Sequence, residues 1–134
     1  MLPEEIAENA EKKRLWRFQA KPTHIVDGDT ADVVVDVGFE MRREIRLRFA
    51  DVDTAEIHFV EHSSDEYKLG KEHTEYVKDW FAVAEKEHDG EWPLIVTTER
   101  KGKYGRYVAW IQRKRDNQVV NADLVREYGD SVVY

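Results

Sequence analysis

The sequence contains no cysteine, which excludes disulfide bonds, thiolate zinc sites and cysteine nucleophiles. It also contains no apolar run that approaches the roughly 20 residues of a membrane-spanning helix, so we expect no membrane partner. Residues 1–5 include two glutamates and lack the apolar core of a signal peptide. These absences predict a cytoplasmic protein, unless a secreted form has lost a precursor segment.

Positive charge is in the minority: 28 acidic residues outnumber 21 basic ones, and the formal net charge is −7 at pH 7. Proteins that hold nucleic acid through its phosphates usually carry a basic face, so this balance argues against tight binding without a metal ion. The basic residues are nevertheless clustered in two places, at 42–48 and at 100–106. An acidic protein with two basic clusters can still bind a phosphodiester, particularly through a bridging metal.

Residues 26–56 carry the clearest pattern in the chain. Apolar residues occupy every second position in 31–39 and again in 45–49, which is the period of a β-strand. The two runs predict a hairpin that turns near Gly38. Such a hairpin returns the chain to the end of the sheet at which it began.

This hairpin would bring Asp29 close to Asp53 and Arg48 at one end of the sheet. Two neighbouring carboxylates repel each other unless a cation or a proton lies between them. Hard oxygen ligands suit Ca²⁺ or Mg²⁺. Two carboxylates, an arginine and the nearby Glu56 therefore predict a site for phosphate chemistry.

The other elements follow from similar patterns, and 134 residues are enough for one domain with a single core. The predicted ranges are 3–16 for a charged helix, 16–25, 92–98 and 107–112 for further strands, 57–69 for a surface loop, 70–87 for a long helix and 120–128 for a short helix. The predicted fold is α+β and mainly β: a five-stranded OB-type Greek-key barrel, with the long helix after strand 3 and the short helix after strand 5. Residues 1–20 form an extension that leads into the first strand, and residues 21–134 form the barrel domain. The helix at 3–16 is either loosely docked or a cover for the barrel surface.

Four motifs resemble those of a known family. They are Val-Asp-Gly-Asp-Thr at 26–30, the run from Arg to Glu at 48–56, Lys-Tyr-Gly-Arg at 103–106, and Val-Asn-Ala-Asp-Leu-Val at 120–125. Each motif is weak alone, but in this order and spacing the chain resembles the thermonuclease (staphylococcal-nuclease-like) family across residues 21–134. The resemblance implies a calcium-dependent endo- or exonuclease that hydrolyses phosphodiester bonds of DNA and RNA. We expect a monomer that prefers single-stranded substrate.

The resemblance implies that one Ca²⁺ is bound, with Mg²⁺ or Mn²⁺ as alternatives. Asp29 and Asp53 would give carboxylate oxygens to the ion, and Thr54 would give its backbone carbonyl. Glu56 would hold the attacking water, either as its general base or as a positioning group. The family usually carries a proline where this chain has Ala55, a difference that could loosen the placement of Glu56.

The resemblance also assigns residues that contact the substrate. Arg48 and Arg106 would grip the reacting phosphate from two sides. Lys103, Tyr104 and Tyr134 fall where the family contacts a terminal phosphate and nucleoside.

Two other functions stay open. A member of the same fold class that has lost turnover would bind nucleic acid or protein, and its affinity would survive a chelator. His58, Glu61 and His62 match the His-x-x-Glu-His pattern of zinc peptidases, although their segment lacks an apolar helix pattern. Asp27 and Asp51 are interpreted as accessory residues that support the structure or the site.

Overall fold

The computed structural model describes residues 1–12, 16–86, 88, 90–100 and 106–134. Its elements in chain order are α1 (Pro3–Lys12), β1 (Arg17–Asp27), β2 (Thr30–Gly38), β3 (Met41–Phe49), α2 (Asp65–Glu85), β4 (Leu94–Arg100), β5 (Tyr107–Arg113), α3 (Val120–Tyr128) and a 3₁₀ turn (Gly129–Val132). The strands form a closed barrel in the order β1-β2-β3-β5-β4. The predicted fold class is therefore confirmed, including the helices before β1, after β3 and after β5.

The alternating pattern places apolar side chains from the first part of β2 and the last part of β3 inside the barrel. Val37 and Phe39, which continue the pattern in the sequence, are instead 38% and 98% exposed near the turn. Ala31 and Val33 of β2 are fully buried, as is Leu47 of β3, and Phe49 is almost so. Removing these apolar side chains from water is the main favourable contribution to barrel formation. The barrel core thus follows directly from the two-residue period in the sequence.

A parallel pairing of β3 with β5 closes the barrel. The fully buried Asn121 of α3 stabilises this seam. Its side-chain oxygen accepts a hydrogen bond from the Ile111 N–H (3.1 Å), and its amide donates to the carbonyls of Ala50 (2.8 Å) and Ala109 (3.0 Å). Because buried polar groups need such partners, Asn121 holds α3 against the end of β3.

The long helix α2 packs against β1. Its buried apolar side chains include Val77, Trp80 and Phe81, which recur at three-to-four-residue spacing. None of the helices in the described part of the chain is long and apolar enough to cross a membrane.

Helix α2 begins earlier than its apolar pattern indicates. The sequence predicted a surface loop at 57–69, but the helix starts at Asp65, so the prediction is wrong for residues 65–69. The first turn is largely exposed to solvent and therefore lacks apolar periodicity. A cap begins it instead: the Ser64 hydroxyl accepts a hydrogen bond from the Tyr67 N–H at 3.1 Å, and acidic residues follow.

Helix α1 is docked on the barrel. Ile6 is fully buried and Ala10 nearly so. The Thr97 hydroxyl of β4 donates a hydrogen bond to the Ala10 carbonyl (3.3 Å), and the Asn9 amide donates to the Asp51 carboxylate (3.1 Å). Of the two interpretations of the N-terminal segment, the structure therefore agrees with the one in which the helix covers the barrel surface.

Candidate functional site

One cleft collects charged side chains from four parts of the chain: the β1–β2 turn, the end of β3, the segment after β3, and the residue before β5. Its volume is about 260 Å³, and it is lined by Asp27, Asp29, Thr30, Arg48, Asp53, Thr54, Ala55, Glu56 and Arg106. The structure thus places both predicted carboxylate ligands, both predicted arginines, Thr54 and Glu56 in one cleft.

The turn between β1 and β2 requires a glycine. Asp27 pairs with Thr30, which leaves Gly28 and Asp29 at the turn. A methyl group on Gly28 would lie 2.6 Å from the Thr54 hydroxyl oxygen, closer than a real side chain can come. Gly28 therefore allows the turn to pack directly against the segment that carries the other acidic residues.

Asp29 links this turn to the segment after β3. Only 8% of the residue is exposed. One carboxylate oxygen accepts a hydrogen bond from the Thr30 hydroxyl (3.0 Å), and the other accepts one from the Thr54 N–H (3.1 Å). Such hydrogen bonds compensate for the burial of the carboxylate, so Asp29 has a defined position in the cleft.

Arg48 lies between the two predicted metal ligands. Its Nη2 is 3.1 Å from an Asp53 carboxylate oxygen and 3.4 Å from an Asp29 carboxylate oxygen. Its Nη1 donates to the carbonyls of Phe49 (3.1 Å) and Val52 (2.9 Å). A guanidinium is therefore the cation that separates the two carboxylates in this structure.

A buried histidine anchors the segment between Asp53 and Glu56. His73 of α2 is 2% exposed, and its Nδ1 accepts a hydrogen bond from the Ala55 N–H at 3.0 Å. Burial lowers the pKa of His73 below its ordinary value, so the ring is neutral at pH 7. A proline at this position has no N–H to donate. The alanine thus permits an anchor that the family's proline would not make.

A second close contact with α2 supports the same segment. A methyl group on Gly70 would lie 2.6 Å from the Ile57 side chain and 2.8 Å from the carbonyl oxygens of Ala55 and Glu56. Only glycine lets the helix approach the backbone so closely. Together with His73, this contact positions Glu56 at the rim of the cleft.

Negative charge accumulates around Asp27. Burial, together with the charges of Asp29 and Glu56, raises the pKa of this carboxyl to about 6. His58 lies beside it, with its Nε2 3.8 Å from an Asp27 oxygen. Glu56 is exposed, and one of its oxygens accepts hydrogen bonds from the N–H groups of Ile57 (3.0 Å) and His58 (2.7 Å).

Of the three residues predicted to contact a terminal phosphate and nucleoside, the structure describes one. Lys103 and Tyr104 lie outside the residues that the structure describes. Tyr134 is described, is 86% exposed and is not among the residues that line the cleft. Its N–H donates to the Asp51 carbonyl at 3.1 Å, which fixes the backbone but leaves the ring in solvent.

Asp51 has a structural role, which agrees with its interpretation as an accessory residue. One of its carboxylate oxygens accepts hydrogen bonds from the Trp110 indole (3.0 Å) and the Asn9 amide (3.1 Å). It therefore joins α1 to the barrel.

The two histidines of the zinc-peptidase pattern do not share a helix face. Their segment is made of bends and turns. His58 points to Asp27, whereas the His62 ring stacks on Tyr67 at 4.2 Å between centroids. This geometry does not provide the two histidine ligands that a helical zinc-peptidase motif supplies.

Sequence reasoning did not single out His73, it assigned His58 only to the zinc-peptidase pattern, and it treated Asp27 as accessory. His73 has the spacing of a core residue on α2, so only its contact with Ala55 reveals its role. Asp27 belongs to the motif at 26–30 and could have been included from that signal.

Comparisons with known proteins add one relative. No protein-family model matches the chain. An uncharacterized protein of Methanocaldococcus jannaschii is 34% identical over 128 residues, which cover 87% of this chain and 59% of the relative. The chain thus spans about three fifths of the length of that relative. Since the relative is itself uncharacterized, the similarity assigns no activity.

Proposed function

We propose that this cleft is the active site of a metal-dependent phosphodiesterase that hydrolyses DNA and RNA in the manner of the thermonuclease family. One observation carries the proposal: carboxylates and guanidinium groups from four separate parts of the chain line the same cleft. Phosphodiester hydrolysis can use this combination. Negative charge develops on the phosphoryl oxygens as water attacks, and preorganised cations stabilise it.

Arg48 and Arg106 would hold the phosphate. A guanidinium stays charged, and its forked N–H groups match the oxygens of a phosphate. Arg48 keeps 19% of its side chain exposed, while hydrogen bonds to two backbone carbonyls hold it in place. Arg106 is exposed on the wall of the cleft next to β5. The two residues can therefore contact one phosphate from different walls.

The acidic residues fit a hard divalent cation such as Ca²⁺, with Mg²⁺ or Mn²⁺ as alternatives. Asp29 and Asp53 would give carboxylate oxygens and Thr54 its carbonyl, which are the donor types that Ca²⁺ prefers. The raised pKa of Asp27, caused by burial and by neighbouring carboxylates, is consistent with excess negative charge here. When bound, the ion would polarise the phosphoryl oxygens.

Glu56 would accept the proton of the attacking water. Two backbone N–H groups hold one of its oxygens, and the other can face the cleft. As the water oxygen bonds to phosphorus, its proton passes to Glu56 and the bond from phosphorus to the leaving oxygen breaks. The leaving oxygen takes a proton from solvent. A carboxylate held by its neighbours loses little freedom in this role.

The test is cleavage of single-stranded DNA with added Ca²⁺, with and without a chelator, by the wild type and by Glu56→Gln. Glu61→Gln is the matched control, because Glu61 is an exposed carboxylate of the same loop outside the cleft. We expect cleavage by the wild type and by Glu61→Gln only in the absence of chelator, with a large loss in Glu56→Gln.

A folded wild type that cleaves no nucleic acid with any divalent ion would overturn the proposal. Nucleic-acid binding that persists in chelator would then identify a binding module.

A further inference from the structure

Three side chains at the edge of the cleft lie close together, and this group is separate from the proposed calcium ligands. Asp27, Glu56 and His58 each offer one ligand atom, and these atoms all lie within 4.8 Å of one another. One residue ends β1 and the other two lie in the loop after β3, so the tertiary structure alone brings them together.

We propose that Asp27, Glu56 and His58 form a binding site for a borderline divalent cation such as Zn²⁺ or Co²⁺. The imidazole makes the difference. Neutral imidazole suits Zn²⁺ and other transition metals, whereas Ca²⁺ prefers sites made of oxygen ligands alone. This site is therefore distinct from the oxygen donors of Asp29 and Asp53, and it does not depend on nuclease activity.

The distribution of positive charge supports the proposal. Arg48 forms its ion pairs with Asp29 and Asp53. Within the part of the chain that the structure describes, no lysine or arginine forms an ion pair with Asp27 or Glu56, and the side chain next to Asp27 is the imidazole of His58, at 3.8 Å. Two carboxylates without a cation repel each other, so a divalent ion at this point would relieve the repulsion.

The carboxylates are also oriented as metal ligands usually are. The Asp29 N–H holds one oxygen of Asp27 at 3.0 Å. The N–H groups of Ile57 and His58 hold one oxygen of Glu56. Hydrogen bonds of this kind fix ligand orientation and leave the second oxygen for the ion.

Three protein ligands leave a coordination position for water or another small ligand. Glu56 cannot ligate this ion and accept the water proton with the same oxygen. The two roles of Glu56 therefore exclude each other in one molecule.

The experiment uses metal-free protein without nucleic acid. Co²⁺ is titrated while its visible absorption is followed, and Zn²⁺ and Ca²⁺ binding are measured by calorimetry, for the wild type, His58→Ala and His62→Ala. His62 is the matched control because it lies in the same loop but stacks on Tyr67. We expect His58→Ala to bind Zn²⁺ at least about tenfold more weakly, with Ca²⁺ binding unchanged and with His62→Ala like the wild type.

Asp27→Asn serves as a second variant and should also weaken Zn²⁺ binding. Equal Zn²⁺ affinity in the wild type and His58→Ala, an equal loss in His62→Ala, or no binding of Zn²⁺ and Co²⁺ by the wild type would each overturn the inference. The two proposals fail independently. Zn²⁺ binding that needs His58 would support this inference even if the protein cleaves no nucleic acid. Calcium-dependent cleavage would support the nuclease proposal even if the protein binds no Zn²⁺.

Discussion

The backbone N–H of Ala55 donates a hydrogen bond to Nδ1 of the buried His73 across 3.0 Å. Since Nδ1 is an acceptor, the ring proton lies on Nε2, which has no hydrogen-bond partner among the described residues. One bond between α2 and the segment after β3 thus positions the backbone between Asp53 and Glu56. A pocket built from distant segments depends on such anchors.

Ala55→Pro should destabilise this protein, although proline is usual there in the thermonuclease family. The substitution removes the N–H and leaves Nδ1 of His73 buried without a donor, which costs about 1–3 kcal/mol. Urea unfolding measures the difference, with Ala55→Ser as the control because serine keeps the N–H. A proline variant as stable as the wild type would show that the hydrogen bond does not stabilise the fold.

His73 should make stability depend on pH. Burial lowers its pKa below the ordinary 6.5, so the unfolded chain binds a proton more readily than the folded protein does. The contribution is therefore present above pH 6.5 and is lost as the pH falls from 6.5 through the lowered pKa. The free energy of unfolding of the wild type and of His73→Asn is compared between pH 7.5 and pH 5. The wild type should lose more stability on acidification; parallel curves would contradict this assignment.

Arg106→Ala should lower the rate of cleavage by about 10²–10³-fold, the scale of losing one preorganised donor to the transition state. Stability should change little because Arg106 is exposed. Arg48→Ala should lower both the cleavage rate and the stability, because it also leaves the buried Asp29 carboxylate without its cationic partner. Arg43→Ala removes the same charge outside the cleft and should cleave normally. Equal cleavage rates for Arg43→Ala and Arg106→Ala would show that Arg106 does not take part in catalysis.

Asp27→Asn should stabilise the metal-free protein at neutral pH. The pKa of Asp27 is raised to about 6 from 3.8, so its carboxylate destabilises the fold increasingly as the pH rises through this window. Asparagine can keep the hydrogen bond from the Asp29 N–H without the charge. The gain should be on the order of 1–3 kcal/mol at pH 7 and absent below pH 4. Thermal unfolding in chelator measures it, with the exposed Glu44→Gln as the control; no gain at pH 7 would contradict the raised pKa.

The sequence by itself determined the barrel. The alternation in 31–35 and 45–49 places one side of each strand in the core, and this requirement does not depend on the details of side-chain packing. The same hairpin logic placed Asp29 near Asp53 and Arg48, because the two ends of a hairpin must meet. Such patterns can be recognised in the sequence because the period of a strand and the reversal of the chain at a turn depend on neighbouring residues alone.

Only the tertiary structure decided how the segment after β3 is held and which side chains surround it. His73 and Gly70 contact that segment from a helix that begins several residues later. His58 meets Asp27 only because the loop folds back onto the end of β1. The sequence did not reveal the first turn of α2 or the docking of Ile6 for the same reason. Burial and capping depend on partners that are not neighbours in the chain, so they leave no local periodic pattern.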